Sequence, residues 1–344
     1  MPPPCLTMTD DGLYCPAGGF HIDPWRGVPR AVITHAHGDH LRGGSQHYLV
    51  SEAGENVSRA RLAPETSIQT VGYGEPLTIN RAKVSFHPAG HVLGSAQIRI
   101  EVEGEVWVVS GDYKTAGGDP TCAPFEPVKC HGFVTESTFG LPIYRWPRSS
   151  ELYDNINAWW RANADAGKAS VIFAYALGKA QRVLAGLDPA IGPIFTHGAV
   201  ERLTQAYRDS GVTLPATEYA GVADPKADKK QYAGAMIIAP PSADGSPWLR
   251  KFAPVSEGVA SGWMAIRGTR RRKSVDRGFV MSDHADWNGL LWAIRETGAE
   301  RVWVTHGYTA VMVRYLREQG LDAEVLNTRF EGEGGSDEPA GATA

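Results

Sequence analysis

Six consecutive residues, His35-Ala36-His37-Gly38-Asp39-His40, carry three imidazoles and a carboxylate in a chain with only 11 histidines. Neutral imidazole nitrogen and carboxylate oxygen are the ligands that borderline divalent ions such as zinc or manganese prefer. Side chains two apart on an extended segment share a face, so His35 and His37 can grip one ion together. Asp39 and His40, on the following turn, point elsewhere and can begin a second site. Three further candidates lie after apolar runs or in glycine-flanked turns. They are His91 in Pro88-Ala89-Gly90-His91-Val92-Leu93-Gly94-Ser95, Asp112 in Ser110-Gly111-Asp112-Tyr113, and His306 in Val304-Thr305-His306-Gly307. Two metals take roughly seven or eight protein ligands in all, commonly with one carboxylate bridging. The seven residues His35, His37, Asp39, His40, His91, Asp112 and His306 come close to that requirement.

Positioning these groups at loop ends requires strands behind them. Short apolar runs bounded by turn residues predict strands over residues 12–15, 30–34, 82–87, 96–102, 106–110 and 132–135. Residues 98–102 and 106–109, joined by Glu103-Gly104-Glu105, read as a hairpin. From about residue 148 the texture changes. Helical spacing of Leu152, Ile156, Trp159 and Trp160 predicts a helix over 149–166, with Ser150 as its cap. Strands at 169–174, 193–196 and 234–239 alternate with helices at 178–186 and 199–210, which implies a parallel sheet and a second α/β unit. A strand at 278–281 opens the final part, followed by helix 286–297, strand 301–305 and helix 309–320. The tail over 329–344, rich in glycine and acid, reads as disordered.

The composition, 42% apolar and 21% charged, is that of a soluble globular protein, and 344 residues allow one large domain or two. No apolar run approaches the ~18 residues of a membrane span, so no membrane partner is expected. The start, Met1-Pro2-Pro3-Pro4-Cys5, lacks the basic region and apolar core of a secretion signal. Four scattered cysteines without a Cys-x-x-Cys pair suit reduced thiols, so a cytoplasmic location is expected. Net charge is −4, so any polyanion-binding surface must be local. The stretch Arg267-Gly268-Thr269-Arg270-Arg271-Arg272-Lys273-Ser274-Val275-Asp276-Arg277 carries six basic residues against one acid. Arg267, Arg270, Arg271, Arg272, Lys273 and Arg277 are therefore candidate phosphate contacts for a nucleic acid. Tyr113, Phe139, Tyr144 and Trp146 are candidates for stacking on unpaired bases.

The run His35-Ala36-His37-Gly38-Asp39-His40, then His91 and Asp112, resembles the metallo-β-lactamase superfamily. Thr135-Glu136-Ser137-Thr138-Phe139-Gly140, Ser282-Asp283-His284-Ala285-Asp286 and Thr305-His306-Gly307 resemble motifs of its β-CASP nuclease group. Phe173-Ala174-Tyr175-Ala176-Leu177-Gly178-Lys179-Ala180-Gln181 and Ser261-Gly262-Trp263-Met264 are similar, more narrowly, to bacterial ligase-associated DNA exonucleases, a group related to mRNA 3′-end processing factors. The resemblance implies an αβ/βα sandwich of α/β class with an inserted β-CASP-like α/β domain. The catalytic domain would comprise residues 1–145 and 277–328, with the cap over 146–276.

It further implies His35, His37 and His91 on one ion, Asp39, His40 and His306 on the other, and Asp112 bridging. Asp23 would orient a ligand from behind, as carboxylates do for metal-bound histidines. On that reading two such ions, Zn2+ and/or Mn2+, would lower the pKa of a shared water and hold a phosphodiester oxygen, and a metal-bridging hydroxide would attack phosphorus in line. His284, held by Glu136, is the candidate proton donor to the leaving oxygen. The implied activity is exonucleolytic cleavage of single-stranded DNA from the 5′ end in DNA repair, in functional association with a DNA ligase and a helicase. In the β-CASP group a histidine at the position of His306 accompanies RNA and valine accompanies DNA, so a ribonuclease of the RNA 3′-end processing type is the first alternative. A small-molecule ester or lactone hydrolase on the same core is the second.

Overall fold

Alternating apolar side chains over residues 96–109 ask for a hairpin, and the chain forms one. In this computed structural model, which describes residues 4–221, 229–266 and 275–329, strands Ala96–Val102 and Glu105–Val109 pair antiparallel. Glu103 and Gly104 turn the corner with φ of 51° and 87°, the left-handed pair that a two-residue loop needs. The chain divides into two units, Met1–Arg145 with Asp283–Ala344, and Trp146–Ser282.

The first unit holds two sheets. A six-stranded sheet runs in chain order from Thr7–Thr9 through Gly12–Cys15, Phe20–Ile22, Arg30–Val32 and His47–Ser51 to Ile68–Val71. A seven-stranded sheet is ordered Asp322–Val325, Arg301–Gly307, Gly132–Ser137, Glu105–Val109, Ala96–Val102, Ala82–Pro88, Leu77–Ile79. Phe20, Ile22, Val32 and Leu49 of the first sheet pack with Val84, Phe86, Ile98, Ile100 and Val109 of the second in one buried core. Period-two alternation then turns Val108, Phe133, Val302 and Val304 to the opposite face. There they meet Leu290, Ile294, Met312 and Leu316 of helices Trp287–Thr297 and Thr309–Glu318. Each such apolar side chain stabilises by about 1.5–3 kcal/mol when fully buried. This packing holds the strand ends in fixed positions.

Strand direction decides where the loops go. Glu105–Val109, Gly132–Ser137 and Arg301–Gly307 are mutually parallel. Ala82–Pro88 runs the same way, because two antiparallel pairings separate it from Glu105–Val109. These four strands therefore end at one edge of the sheet, with Glu136 and His306 at strand ends and His91 and Asp112 on the loops that follow.

The second unit is a six-stranded parallel sheet ordered Glu218–Tyr219, Ile194–Thr196, Met236–Ala239, Ala169–Phe173, Val255–Ser261, Arg277–Val280. Both faces are covered, as parallel sheets require. Ile172 and Ile238 meet helices Ser149–Asp165 and Lys179–Ala185 on one side, and Val171, Phe173 and Ile237 meet Leu249 and Phe252 on the other. Two expectations change. Ser150 lies inside the helix, whose N-cap is Arg148 with no side-chain capping bond. Arg277–Val280 does not open the return to the first unit; it is the edge strand of this sheet, hydrogen-bonded to Val255–Ser261, and the return begins at Asp283. The tail from residue 330 onward lies outside the described residues.

Candidate metal centre

The parallel pair Phe20–Ile22 and Arg30–Val32 positions the first candidate ligands, since Asp23 and the His35 loop leave adjacent strands together. His37 Nδ1 lies 3.2 Å from His35 Nε2 and 3.0 Å from His91 Nε2, so three ring nitrogens converge on one point. His35, His37, His91 and Asp112, all buried, form a single group with ligand atoms within 4.8 Å of one another. Asp112 Oδ2 stands 3.5 Å from His35 Nε2, 3.8 Å from His91 Nε2 and 3.6 Å from His40 Nε2. It therefore spans the histidine trio and His40.

His40 is fixed from behind. Its Nδ1 donates to Asp23 Oδ2 at 2.7 Å, and Asp23 also accepts from the Thr34 amide at 2.8 Å and the Thr34 hydroxyl at 2.5 Å. This bond sets the tautomer and turns His40 Nε2 toward Asp112 and Asp39, whose Oδ2 is 3.8 Å away. Asp23 itself has φ of 44°, a left-handed conformation uncommon for a non-glycine residue.

His306 arrives by a different device. Along the parallel pair of Gly132–Ser137 and Arg301–Gly307, Glu136 opposes Thr305 but Ser137 opposes Gly307, so His306 is the extra residue of a bulge. A bulge re-aims one side chain at the cost of ladder regularity. The φ of 60° at His306 records the same distortion. Ser137 secures it, its hydroxyl donating to the His306 carbonyl at 2.5 Å and its carbonyl accepting from the Tyr308 amide at 2.9 Å. Gly307 has φ of 76°, and a methyl there would meet the Ser137 carbonyl oxygen at 2.4 Å. His306 lines one cavity with Asp23, His40, Asp112 and Glu136.

The donor set fits divalent cations. His306 Nδ1 is buried without a hydrogen-bond partner among the described residues, as a ring nitrogen awaiting a ligand would be. Burial, then His40, lowers the His35 pKa to about 4, and burial with the neighbouring imidazoles lowers His91 too, so both rings are neutral electron-pair donors. Burial works against ionisation of Asp112, but His40 and His284 outweigh it and keep the carboxylate charged. Burial likewise opposes charge on His40, yet Asp39, Asp112 and Asp23 push it up to about 10. Three carboxylates around one imidazole call for positive charge.

Beside this group, Glu136 is buried one residue before the end of its strand, with both oxygens 2.9 Å from His284 Nδ1. Glu136 also accepts from the Tyr113 amide at 2.9 Å and from the Thr138 hydroxyl. Asp112, Glu136 and His284 form a further close group. Burial opposes a charged His284, but Glu136 and Asp112 prevail and push it up to about 9.

No family model matches the chain. A protein of Opitutus terrae named probable DNA ligase is 30% identical over 319 residues, covering 91% of this chain and 30% of that protein. Endoribonuclease YSH1 of Yarrowia lipolytica is 32% identical over 193 residues, covering 49% of this chain and 22% of its own length. The chain thus spans less than a third of either relative. A crystal structure of a protein of unknown function from Enterococcus faecalis shares the fold, with a TM-score of 0.56 at 11% identity, covering 88% of this chain and 80% of that one. An RNase J-like protein of Methanocaldococcus jannaschii is 28% identical over 151 residues, covering 41% of this chain and 36% of its own length.

Several participants escape a sequence reading because backbone groups, or short polar side chains, supply them. The Asp283 carbonyl lies 2.8 Å from His91 Nδ1, and Thr34, Tyr113 and Ser137 act as described. Conversely, Tyr113, Phe139 and Tyr144 are buried and pack in the interior instead of offering stacking faces. Arg267, Arg270, Arg271, Arg272 and Lys273 lie outside the described residues, while Arg277 is exposed on the edge strand of the second unit. Replacing Asp23 by Ala is expected to weaken metal binding by about 10–100-fold, the usual cost of losing such a support. Competition against a metallochromic chelator would measure it; unchanged affinity would remove Asp23 from the site.

Proposed function

We propose that the chain is a metal-dependent phosphodiester hydrolase, a nuclease built on a metallo-β-lactamase-type sandwich with a β-CASP-like inserted unit over 146–282. The observation that carries the reading is the Glu136–His284 pair set against Asp112 and the histidine group. A structural metal site needs no buried acid–base pair at its side.

His35, His37, His91 and Asp112 would hold one divalent ion, and Asp112, Asp39, His40 and His306 a second, with zinc and manganese both suited to these ligands. When bound, the ions supply Lewis acidity and a water acidic enough to act as nucleophile near neutral pH. The protein's own groups do the rest. Asp23 keeps His40 in one tautomer, and Ser137 holds the bulge that aims His306. Glu136 is fixed by the Tyr113 amide and Thr138, so it orients His284 through Nδ1 and leaves Nε2 to carry a proton. That proton goes to the departing sugar oxygen.

Cleavage of a single strand from the 5′ end follows from the resemblance of residues 173–181 and 261–264 to ligase-associated DNA exonucleases. DNA is the preferred substrate, because a relative matched over 91% of the chain carries a DNA ligase name. The same name supports functional association with a ligase. RNA is the second reading, favoured by the endoribonuclease relatives and by His306 itself. Parallel digestion of single-stranded DNA and RNA of one sequence separates them. DNA cleavage with RNA left intact is expected; RNA cleavage with inert DNA would overturn the preference while keeping the nuclease.

A further inference from the structure

A row of rings runs outward from the candidate metal centre and ends at the surface. The His284 ring, 4.7 Å from that of His91, meets Phe139 edge to face at 5.9 Å between centroids. Phe139 meets Tyr144 at 4.8 Å, and Tyr144 meets Tyr308 at 6.0 Å. Phe139 and Tyr144 are buried, whereas Tyr308 is half-buried, so the row reaches solvent at this ring.

Tyr308 is held at two points. Its amide donates to the Ser137 carbonyl at 2.9 Å, and the hydroxyl of that same serine holds the His306 carbonyl. The Tyr308 hydroxyl lies 3.2 Å from that of Tyr144. The ring is therefore fixed relative to His306, two residues before it. The surface around it is apolar. Among the described residues four large apolar or aromatic side chains stand exposed, and two of them, Ile143 at 61% and Val311 at 43%, belong to this corner. Val311 lies one turn from Tyr308 at the start of helix Thr309–Glu318. Ile143 precedes Tyr144 on the loop that packs against that turn, where a methyl on Gly140 would lie 3.5 Å from Met312 Cε. An open apolar patch beside a polar centre marks a contact site.

Building on the nuclease reading, we infer that Tyr308, with Ile143 and Val311 at its edges, is a stacking site for one unpaired nucleobase next to the scissile phosphate. A strand whose phosphate lies at the metal centre carries a base on every sugar. Tyr308 follows His306 by two residues, so the base it reaches belongs to a nucleotide flanking the cut. A nucleobase suits this corner better than a protein side chain, because the row of rings leads straight back to the place where the strand is held. Every base has a π face, so the site reads no sequence. It does require the base to be unstacked from its neighbours, which selects single strands over duplex.

The test uses the intact, metal-loaded protein and fluorescent single strands with nuclease-resistant phosphorothioate linkages. One strand is complete, and each of the others lacks one base at a different nucleotide. Tyr308→Ala is expected to weaken binding of the complete strand about 10-fold with metal content unchanged. Wild-type protein should lose a similar factor when one particular base is missing, and on that strand Tyr308→Ala should cost nothing more. Tyr308→Trp should retain affinity, and Val311→Ala should lower it by a smaller factor. Tyr308→Leu, which keeps bulk without a π face, gives the same reading where Tyr308→Ala loses metal. An equal loss in Tyr308→Ala on every strand, or no loss on any, would overturn the inference. So would unchanged strand binding together with lost self-association, which would make the corner a contact between copies. A wild-type protein that binds with this base dependence and cleaves neither DNA nor RNA would instead overturn the nuclease reading.

Discussion

Asp112→Ala is expected to reduce phosphodiester cleavage by roughly 10³-fold or more and to lower the bound metal. The carboxylate stands within 3.8 Å of His35, His40 and His91, so it reaches both sets of nitrogens. Its removal would take a candidate ligand from each set and an anionic charge from a buried cluster. Metal ions at such centres stabilise transition-state charge by several kcal/mol, and each ~1.4 kcal/mol lost is tenfold in rate. Rate and metal content by elemental analysis should fall together. A variant with full metal content and ordinary turnover would show that Asp112 is an interior carboxylate and no bridge.

The second large effect separates chemistry from metal binding. His284→Ala should lower kcat by about 10²–10⁴-fold, the range for a lost general acid, with metal content unchanged. His284 binds Glu136 through Nδ1, and removing the ring leaves the carboxylate with its Tyr113 and Thr138 donors, so the local structure survives. Glu136→Gln should move kcat in the same direction by a smaller factor, because an amide holds the ring less well. If His284 were a neutral phosphate clamp, KM would rise and kcat would hold. That pattern would reassign the residue, and normal kinetics with metals retained would remove it from the mechanism.

The site was legible where its residues are local. His35 to His40 announces itself because ligand types crowd into one loop, and His91, Asp112 and His306 stand out by following strands. Their supports were invisible for a physical reason. Asp283 contributes a carbonyl and Tyr113 an amide, and any residue type carries those groups. The bulge that makes His306 special depends on pairing between strands about 170 residues apart, which no local pattern encodes.

The fold divides the same way. The hairpin over 96–109 follows from alternation and a turn that accepts positive φ. Val255–Ser261 shows no apolar run, because Ser256, Glu257, Gly258 and Ser261 interrupt it, yet it pairs on both sides, next to the edge strand of its sheet. Asp322–Val325 carries no apolar signature, because only Ala323 of its four residues is buried. Arg277–Val280 reads as a strand from its sequence, but the unit it joins does not, since a strand's partners are not written in its own residues.

The central claim is that the histidine–aspartate group performs phosphodiester hydrolysis with bound divalent ions. It is tested most directly by digesting end-labelled single strands with protein stripped by a chelator and then restored with Zn2+ or Mn2+. The expected result is no cleavage by the stripped protein and recovery that tracks metal bound per chain, rising to about two. Cleavage that persists after stripping, or a fully loaded protein that leaves DNA and RNA uncut, would contradict it.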